Sequence, residues 1–195
     1  MTRRSGIQIV VGVLLLGLLS WGVTRSLEYL LTPRVAVAET EEQPGTTTDV
    51  PHITATLYYA DADGQALVPV QREVPLEEGT VAQGREILAA QLEPAPEPHV
   101  SVIPMGTTLR AFYVTDRGDA FVDLSREVSA NHPGGSFTEL LTVYALVNAV
   151  TTNLPAIQRV QILIDGKEAD SLAGHIDLRR PLQRDQSLVR QDPTS

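Results

Sequence analysis

The chain has no cysteine among its 195 residues. That removes disulfides, a thiolate nucleophile, a cysteine metal site and the acylated cysteine of a bacterial lipoprotein. Basic residues are outnumbered, 15 Lys and Arg against 24 Asp and Glu. The formal net charge of −9 argues against nucleic acid, whose phosphates demand clustered Lys and Arg. The histidines, His52, His99, His132 and His175, are isolated. They offer no pair at helical i, i+4 spacing and no His-Glu-x-x-His run for zinc. A Gly-x-Ser-x-Gly elbow, a phosphate loop and a dinucleotide fingerprint are missing too. Aromatics stand at 5% and hydrophobic residues at 43%, enough to bury a core but not an all-membrane composition. A chain of this length has room for one domain of ordinary size plus appendages.

What is present starts with Arg3-Arg4 and then an uncharged run, Ile7 to Val23. A run this long spans a bilayer as a minimal membrane helix, and the arginine pair before it places the N-terminus in the cytoplasm. The expected layout is a cytoplasmic 1–6, a transmembrane helix over 7–26, a disordered linker over 32–52, a folded domain over 53–178 and a flexible tail over 179–195. The protein is then a single-pass cell-membrane protein with its domain extracytoplasmic. The alternative is a secreted domain, released by cleavage near Ala38, where Ala36-Val37-Ala38 fits a small-x-small site. The linker, rich in Pro, Thr, Glu and Gly, cannot bury enough surface to fold.

Within the domain, Ile53 to Tyr59 alternates with period two and predicts a strand. Asp61-Ala-Asp63-Gly64 turns it, and Ala66 to Glu73 returns as a second strand that Pro69 confines to an edge or bulge. The aspartates begin like a calcium loop, but no acid closes it at the proper offset. Thr80 and Gln83 have capping-box spacing and open a helix to about Glu93, with Val81, Gly84, Leu88 and Leu92 on its apolar stripe. Strands follow at Leu109 to Thr115 and Ala120 to Leu124, joined by a hairpin through Gly118. Ser125 to Pro133 reads as a loop. Val160 to Ile164 is an apolar strand turned by Asp165-Gly166, and a short strand is expected around Ile176 to Leu178.

The long helix between them is the centre of the pattern. Ser136 and Glu139 again have capping-box spacing, so a helix begins at Phe137, and Pro155 stops it near Asn153. Its apolar arc far exceeds the roughly 100° stripe of a helix lying on one surface. Such a helix is covered on two sides or offers a patch to a partner. Asn148 sits mid-arc, where an unpaired amide would cost about 1–3 kcal/mol, so it needs an internal partner.

Catalytic candidates are few. Ser136 in its glycine turn is accounted for by capping, and Asp116, Asp119 and Asp123 read as turn and strand-end carboxylates. No convergent acid pair or Ser/His set is visible in the sequence.

Several segments in order carry a family resemblance: Leu57-Tyr58-Tyr59, Leu67-Val68-Pro69-Val70 with Arg72, Ile103-Pro104-Met105-Gly106-Thr107, Ala120 to Ser125, Tyr144 to Asn148, and Val160-Gln161-Ile162 with Asp165-Gly166. Over about Ile53 to Leu178 the chain resembles the GerMN domain family of sporulation and spore germination proteins. The resemblance implies an α+β fold, a small two-layer sandwich with two helices packed on a mixed or antiparallel sheet. It also implies a non-enzymatic role, and the residues themselves give no reason to expect a cofactor or a metal. The family motif falls on Tyr59, Pro104, Gly106, Asp123, Tyr144, Asn148, Gln161 and Gly166, all expected to be structural. The chain departs from the family in having a single such domain, no acylated cysteine, and Ala149 where Thr commonly follows the asparagine.

The function expected is an extracytoplasmic scaffold or adaptor in a bacterial envelope complex, related to sporulation or germination. Its partners would be the membrane, through the N-terminal helix, and other envelope proteins or a second copy. The alternative is a module binding peptidoglycan or another envelope polymer, with Tyr58, Phe112 and Phe121 sharing an outer sheet face.

Overall fold

The computed structural model describes residues 50–190. The expected transmembrane helix, the cytoplasmic residues before it, most of the linker and the Ala38 site lie outside the described residues. Among the described residues no helix is long and apolar enough to cross a membrane.

Strand β1 (His52–Ala60) and strand β2 (Leu67–Pro75) form an antiparallel hairpin with Tyr58 opposite Pro69. Its turn is held by Asp61, whose carboxylate accepts the Gln65 N–H at 2.7 Å. Helix α1 (Thr80–Leu92) follows. Strands β3 (Leu109–Val114) and β4 (Asp119–Leu124) pair antiparallel, with a register shift between Leu109 and Ala111. Their turn needs Gly118, at φ 78°, because a Cβ there would stand 2.6 Å from the Ala156 carbonyl oxygen. A short helix α2 (Glu127–Ala130) and the long α3 (Ser136–Asn153) lead to β5 (Arg159–Ile164), which pairs parallel with β4. Parallel neighbours need a crossover, and α3 supplies it. Strands β6 (Lys167–Glu168) and β7 (Leu182–Gln183) both pair with β5, at its two ends.

The core lies around α3. Leu141, Val143, Ala145, Leu146, Val147, Ala149 and Val150 are all buried, packed among the hairpin, α1 and β5. The wide apolar arc is therefore covered along most of its length, with Phe137 at its start left exposed. Beneath α1, Gly84 lets the Phe112 ring approach so closely that a Cβ would sit 2.2 Å from it.

The α+β class stands, with several departures from the expected details. The strands form two sheets, a two-stranded hairpin and a five-stranded mixed sheet, rather than one. Part of the expected loop at Ser125 to Pro133 is helical as α2. Ile176 to Leu178 is not a strand, and the sheet is completed by β6 and β7 instead. The segment after Leu178, expected to be mobile from its polar composition, is built into the fold as far as Arg190. The Leu67 N–H donates to the Leu188 carbonyl at 2.8 Å, and the Arg190 N–H to the Leu67 carbonyl at 2.8 Å.

Neither capping box forms. Gly79 and Gly135, at φ 87° and 90°, take the N-cap positions, and neither helix start has a side-chain cap. Glycine accepts positive φ at little steric cost, and the Gln83 carboxamide and Glu139 carboxylate four residues on are left free for tertiary work. Gln83 accepts the Glu77 N–H at 2.9 Å and donates to the Pro75 carbonyl at 3.0 Å. The α1 stripe is also rotated from the expected one: Val81 is exposed, and Gln83, Gly84, Ile87, Leu88 and Gln91 are buried.

Candidate functional site

Asn148 is fully buried on α3. Its amide donates to the Asp185 carbonyl at 2.9 Å and accepts the Asp185 N–H at 3.0 Å. The partner is internal, as the apolar surroundings require, but it comes from the C-terminal segment. Tyr144, one turn earlier and half-buried, has its hydroxyl pKa raised by burial, with a smaller push from the Asp185 carboxylate.

Glu139 is the most deeply buried carboxylate among the described residues, with no exposed side-chain surface. Its carboxylate accepts the backbone N–H groups of Leu172, His175 and Ile176 at 2.9, 2.9 and 3.3 Å, and the His175 ring lies 3.1 Å away. Burial pushes its pKa up, but the ring of donors outweighs burial and the net shift is downward. The carboxylate thus ties α3 to the loop at 170–178. Nearby, His132 Nδ1 accepts the Gly134 N–H at 3.0 Å, which leaves Nε2 to carry the proton and donate to Thr142 Oγ1 at 3.2 Å. Thr142 in turn donates to the Val102 carbonyl at 2.6 Å. Burial lowers the His132 pKa, which suits a ring that must keep Nδ1 unprotonated.

Side-chain amides close the outer edge of β1. Asn153, at the end of α3, accepts the Thr56 N–H at 2.8 Å and donates to its carbonyl at 2.7 Å. Gln91 on α1 does the same for Tyr58, at 2.8 Å in each direction. The Ala60 and Val100 backbones pair beyond them at 2.9 and 3.0 Å. Two helices and a loop stand where a third strand would lie. Sequence reasoning missed Gln91 and Asn153; the available signal was a carboxamide seven residues after Gly84, on the buried side of α1.

The remaining motif residues hold turns and packing. Tyr59 is buried, its hydroxyl accepting from Arg72 at 3.3 Å. The buried Pro104 gives its carbonyl to the Thr107 hydroxyl at 2.7 Å, and Gly106 turns the loop at φ 86°. Gln161, nearly buried, donates to the Arg179 carbonyl at 3.4 Å. Asp123 accepts the Gly166 N–H at 2.7 Å and faces Arg110 at 3.4 Å. Asp119 pairs with Arg159 at 2.7 Å. Asp61, half of the would-be calcium loop, has its pKa lowered chiefly by the Gln65 N–H, and its Oδ2, which accepts no hydrogen bond, faces the Arg190 guanidinium. Among the described residues no group of three or more His, Asp or Glu is placed to hold a metal ion.

The three aromatics expected on one outer face are dispersed. Tyr58 is buried with its hydroxyl 3.0 Å from Thr152, and Phe112 is buried on the helix side of its sheet. Phe121 is half-buried opposite Tyr113, which is 56% exposed. At the opposite end of β1 from its entry lies an apolar cleft of about 440 Å³, walled by Val100, Ile103, Pro104, Pro133 and Leu141 with Met105 at its rim. Met105 is 91% exposed.

The fold is an α+β domain in which the buried carboxylates Glu139, Asp123 and Asp61 each accept main-chain N–H groups of the same domain. By family the chain is more specific: residues 56–170 match the Germane family, described as sporulation and spore germination, and the chain belongs to that family. The fold is similar to that of a Clostridium perfringens protein described as a lipoprotein, at 24% identity and a TM-score of 0.50, covering 70% of this chain and 91% of that one. It is also similar to the tandem GerMN domains of the sporulation protein GerM from Bacillus subtilis, at 19% identity and a TM-score of 0.51. That match covers 69% of this chain and 46% of the GerM chain. No curated protein matches the sequence.

Proposed function

We propose that this chain is a membrane-tethered, non-catalytic assembly element of the bacterial envelope, working in sporulation or germination outside the cytoplasm. The observation that carries this reading is how the polar groups are used. Glu139, Asn148, Gln91, Asn153 and Asp123 each bind main chain of the same domain. Several large apolar or aromatic side chains are nonetheless left exposed, notably Met105, Val100, Tyr113 and Phe137. Family membership supports the setting, and the apolar run at 7–23 with Arg3-Arg4 before it supports the tether.

Two measurements test the reading. Crosslinking of the full chain in its native membranes is expected to trap a higher-order species or a partner, and recovery of monomer alone would reject the assembly role. Because the chain has no cysteine, Met105→Cys gives a single exposed thiol. A membrane-impermeant maleimide added to intact cells is expected to label it, and labelling only after lysis would reject the extracytoplasmic placement. Polymer binding is the second reading, now resting on the Tyr113 and Phe121 pair alone. Retention on purified cell wall that is lost in Tyr113→Ala would favour it.

A further inference from the structure

The strand edges of this domain are treated unequally. On β1, Thr56, Tyr58 and Ala60 are closed by Asn153, Gln91 and Val100. On β2, Leu67 is taken by the segment at 188–190, and the outward positions Pro69 and Pro75 have no N–H to offer. The far side of β5 is covered at its ends by β6 and β7. On β3, the Thr115 N–H reaches the Asp119 carbonyl at 2.9 Å. With that register Tyr113 bonds to Phe121, so the main-chain groups of Phe112 and Val114 point away from β4. Among the described residues these groups have no hydrogen-bond partner in a turn, loop or side chain. Proteins usually close such an edge, and this domain has done so elsewhere.

We propose that β3 is a seam through which two copies of this chain pair edge to edge, antiparallel, about a two-fold axis at Tyr113. The inference rests on the assembly reading above and names a second copy as the partner. This register sets Phe112 of each chain against Val114 of the other and satisfies the outward N–H and C=O groups of both residues. The exposed Tyr113 rings meet across the axis with Phe121 behind each, giving a row of four aromatics on one continuous sheet. Charge fits as well. The same register brings Arg110 of each chain to the turn that carries Asp116 of the other, and Leu109–Val114 contains no acidic residue although the chain carries −9. The equivalent two-fold at the partly open stretch of β2 would instead set Arg72 against its copy, and like charges directly opposite oppose pairing.

In a non-hydrogen-bonded antiparallel pair the facing Cα atoms are about 4.5 Å apart, within reach of a disulfide. Tyr113→Cys in the otherwise cysteine-free full chain, oxidised in native membranes, is expected to give a covalent dimer as the main species. Phe121→Cys lies about 14 Å from its copy by strand spacing and Met105→Cys lies off the seam; both are expected to stay monomeric. Adding Val114→Pro to Tyr113→Cys removes an outward N–H but no bond to β4, and is expected to cut the dimer at least tenfold. Should that proline unfold the domain, Tyr113→Lys in the natural chain replaces it, setting like charges together at an exposed site, and is expected to abolish the photo-crosslinked dimer. Monomeric Tyr113→Cys, or a dimer indifferent to Val114→Pro in a folded domain, overturns the seam. If the natural chain still crosslinks to another protein in that case, the assembly role survives without this interface; if it crosslinks to nothing, both fall.

Discussion

Asn148 and Glu139 show how one polar side chain in an apolar helix organises segments far away in sequence. Each meets mainly main chain, with the His175 ring as a further partner of Glu139, so most of the cost of losing it is the cost of orphaning backbone groups. Asn148→Leu keeps the volume and removes both bonds to Asp185. Leaving a buried donor and acceptor unmet costs about 1–3 kcal/mol, so chemical denaturation should show a loss of about 2 kcal/mol. Glu139→Gln cannot accept three N–H groups with the same charge, and hydrogen bonds to a charged partner are worth about 1.5–3 kcal/mol. Its pH signature separates it from simple packing damage. A carboxyl whose folded pKa lies below its unfolded value of 4.5 contributes stability that is present above pH 4.5 and lost as pH falls through the lower folded pKa. His132 adds a second acid-sensitive contribution, present above its ordinary value of 6.5 and declining as pH falls below it, because folding favours the neutral ring. Melting curves from pH 7 to pH 3 should therefore fall in two stages. Glu139→Gln should shrink the lower stage, to which Asp61 also contributes, and leave the upper one in place.

Elements were read from periodicity, and periodicity served well where the hydrophobic pattern decides. The alternation of β1, the apolar run of β5 and the long arc of α3 are legible because burial needs only side chains. The helix starts were less so. Ser136 with Glu139, and Thr80 with Gln83, have the spacing of local caps, but spacing cannot reveal that a neighbouring loop competes for the same carboxylate or amide. Gly79 and Gly135 settle the helix starts, and the long side chains reach outward to tertiary partners instead. Asn153 and Gln91 were missed for a related reason: each binds the main chain of β1, and backbone groups look the same at every residue. The packing of α1 on β3 was half legible, since Gly84 was placed on the buried stripe without the ring that needs it. Gly84→Ala improves helix propensity by about 1 kcal/mol, yet forces a methyl to within 2.2 Å of the Phe112 ring. Overpacking of a filled core costs about 1–3 kcal/mol. Thermal unfolding should therefore show a net loss, with Phe112→Leu partly restoring Gly84→Ala by making room.

At the scale of the whole molecule, the C-terminal segment fastens parts that are otherwise separate. Residues 179–190 supply β7 to the main sheet, two backbone bonds to Leu67 on the hairpin, the partner of Asn148 on the central helix, and an ion pair from Arg190 to Asp61. Nothing in its composition reveals this, because a run of Arg, Gln, Asp and Ser is also what a solvated tail looks like; the binding is done by main chain. The consequence is that a truncation ending at Leu178 should be far from neutral. It leaves Asn148 unmet, reopens the Leu67 end of β2 and bares the Arg159 end of β5 together. At about 1 kcal/mol for each lost backbone or amide bond, the sum is on the order of 5 kcal/mol, a large part of the 5–15 kcal/mol that holds a typical domain. Denaturant melts of the full and truncated chains, run side by side, should show the midpoint fall well beyond that of Asn148→Leu. Limited proteolysis should cut the hairpin turn near Asp63, which the intact chain protects through Arg190 and Leu67. A truncated chain that melts with the full one would mean that the segment only lies on the surface, and that α3, α1 and the two sheets hold one another without it.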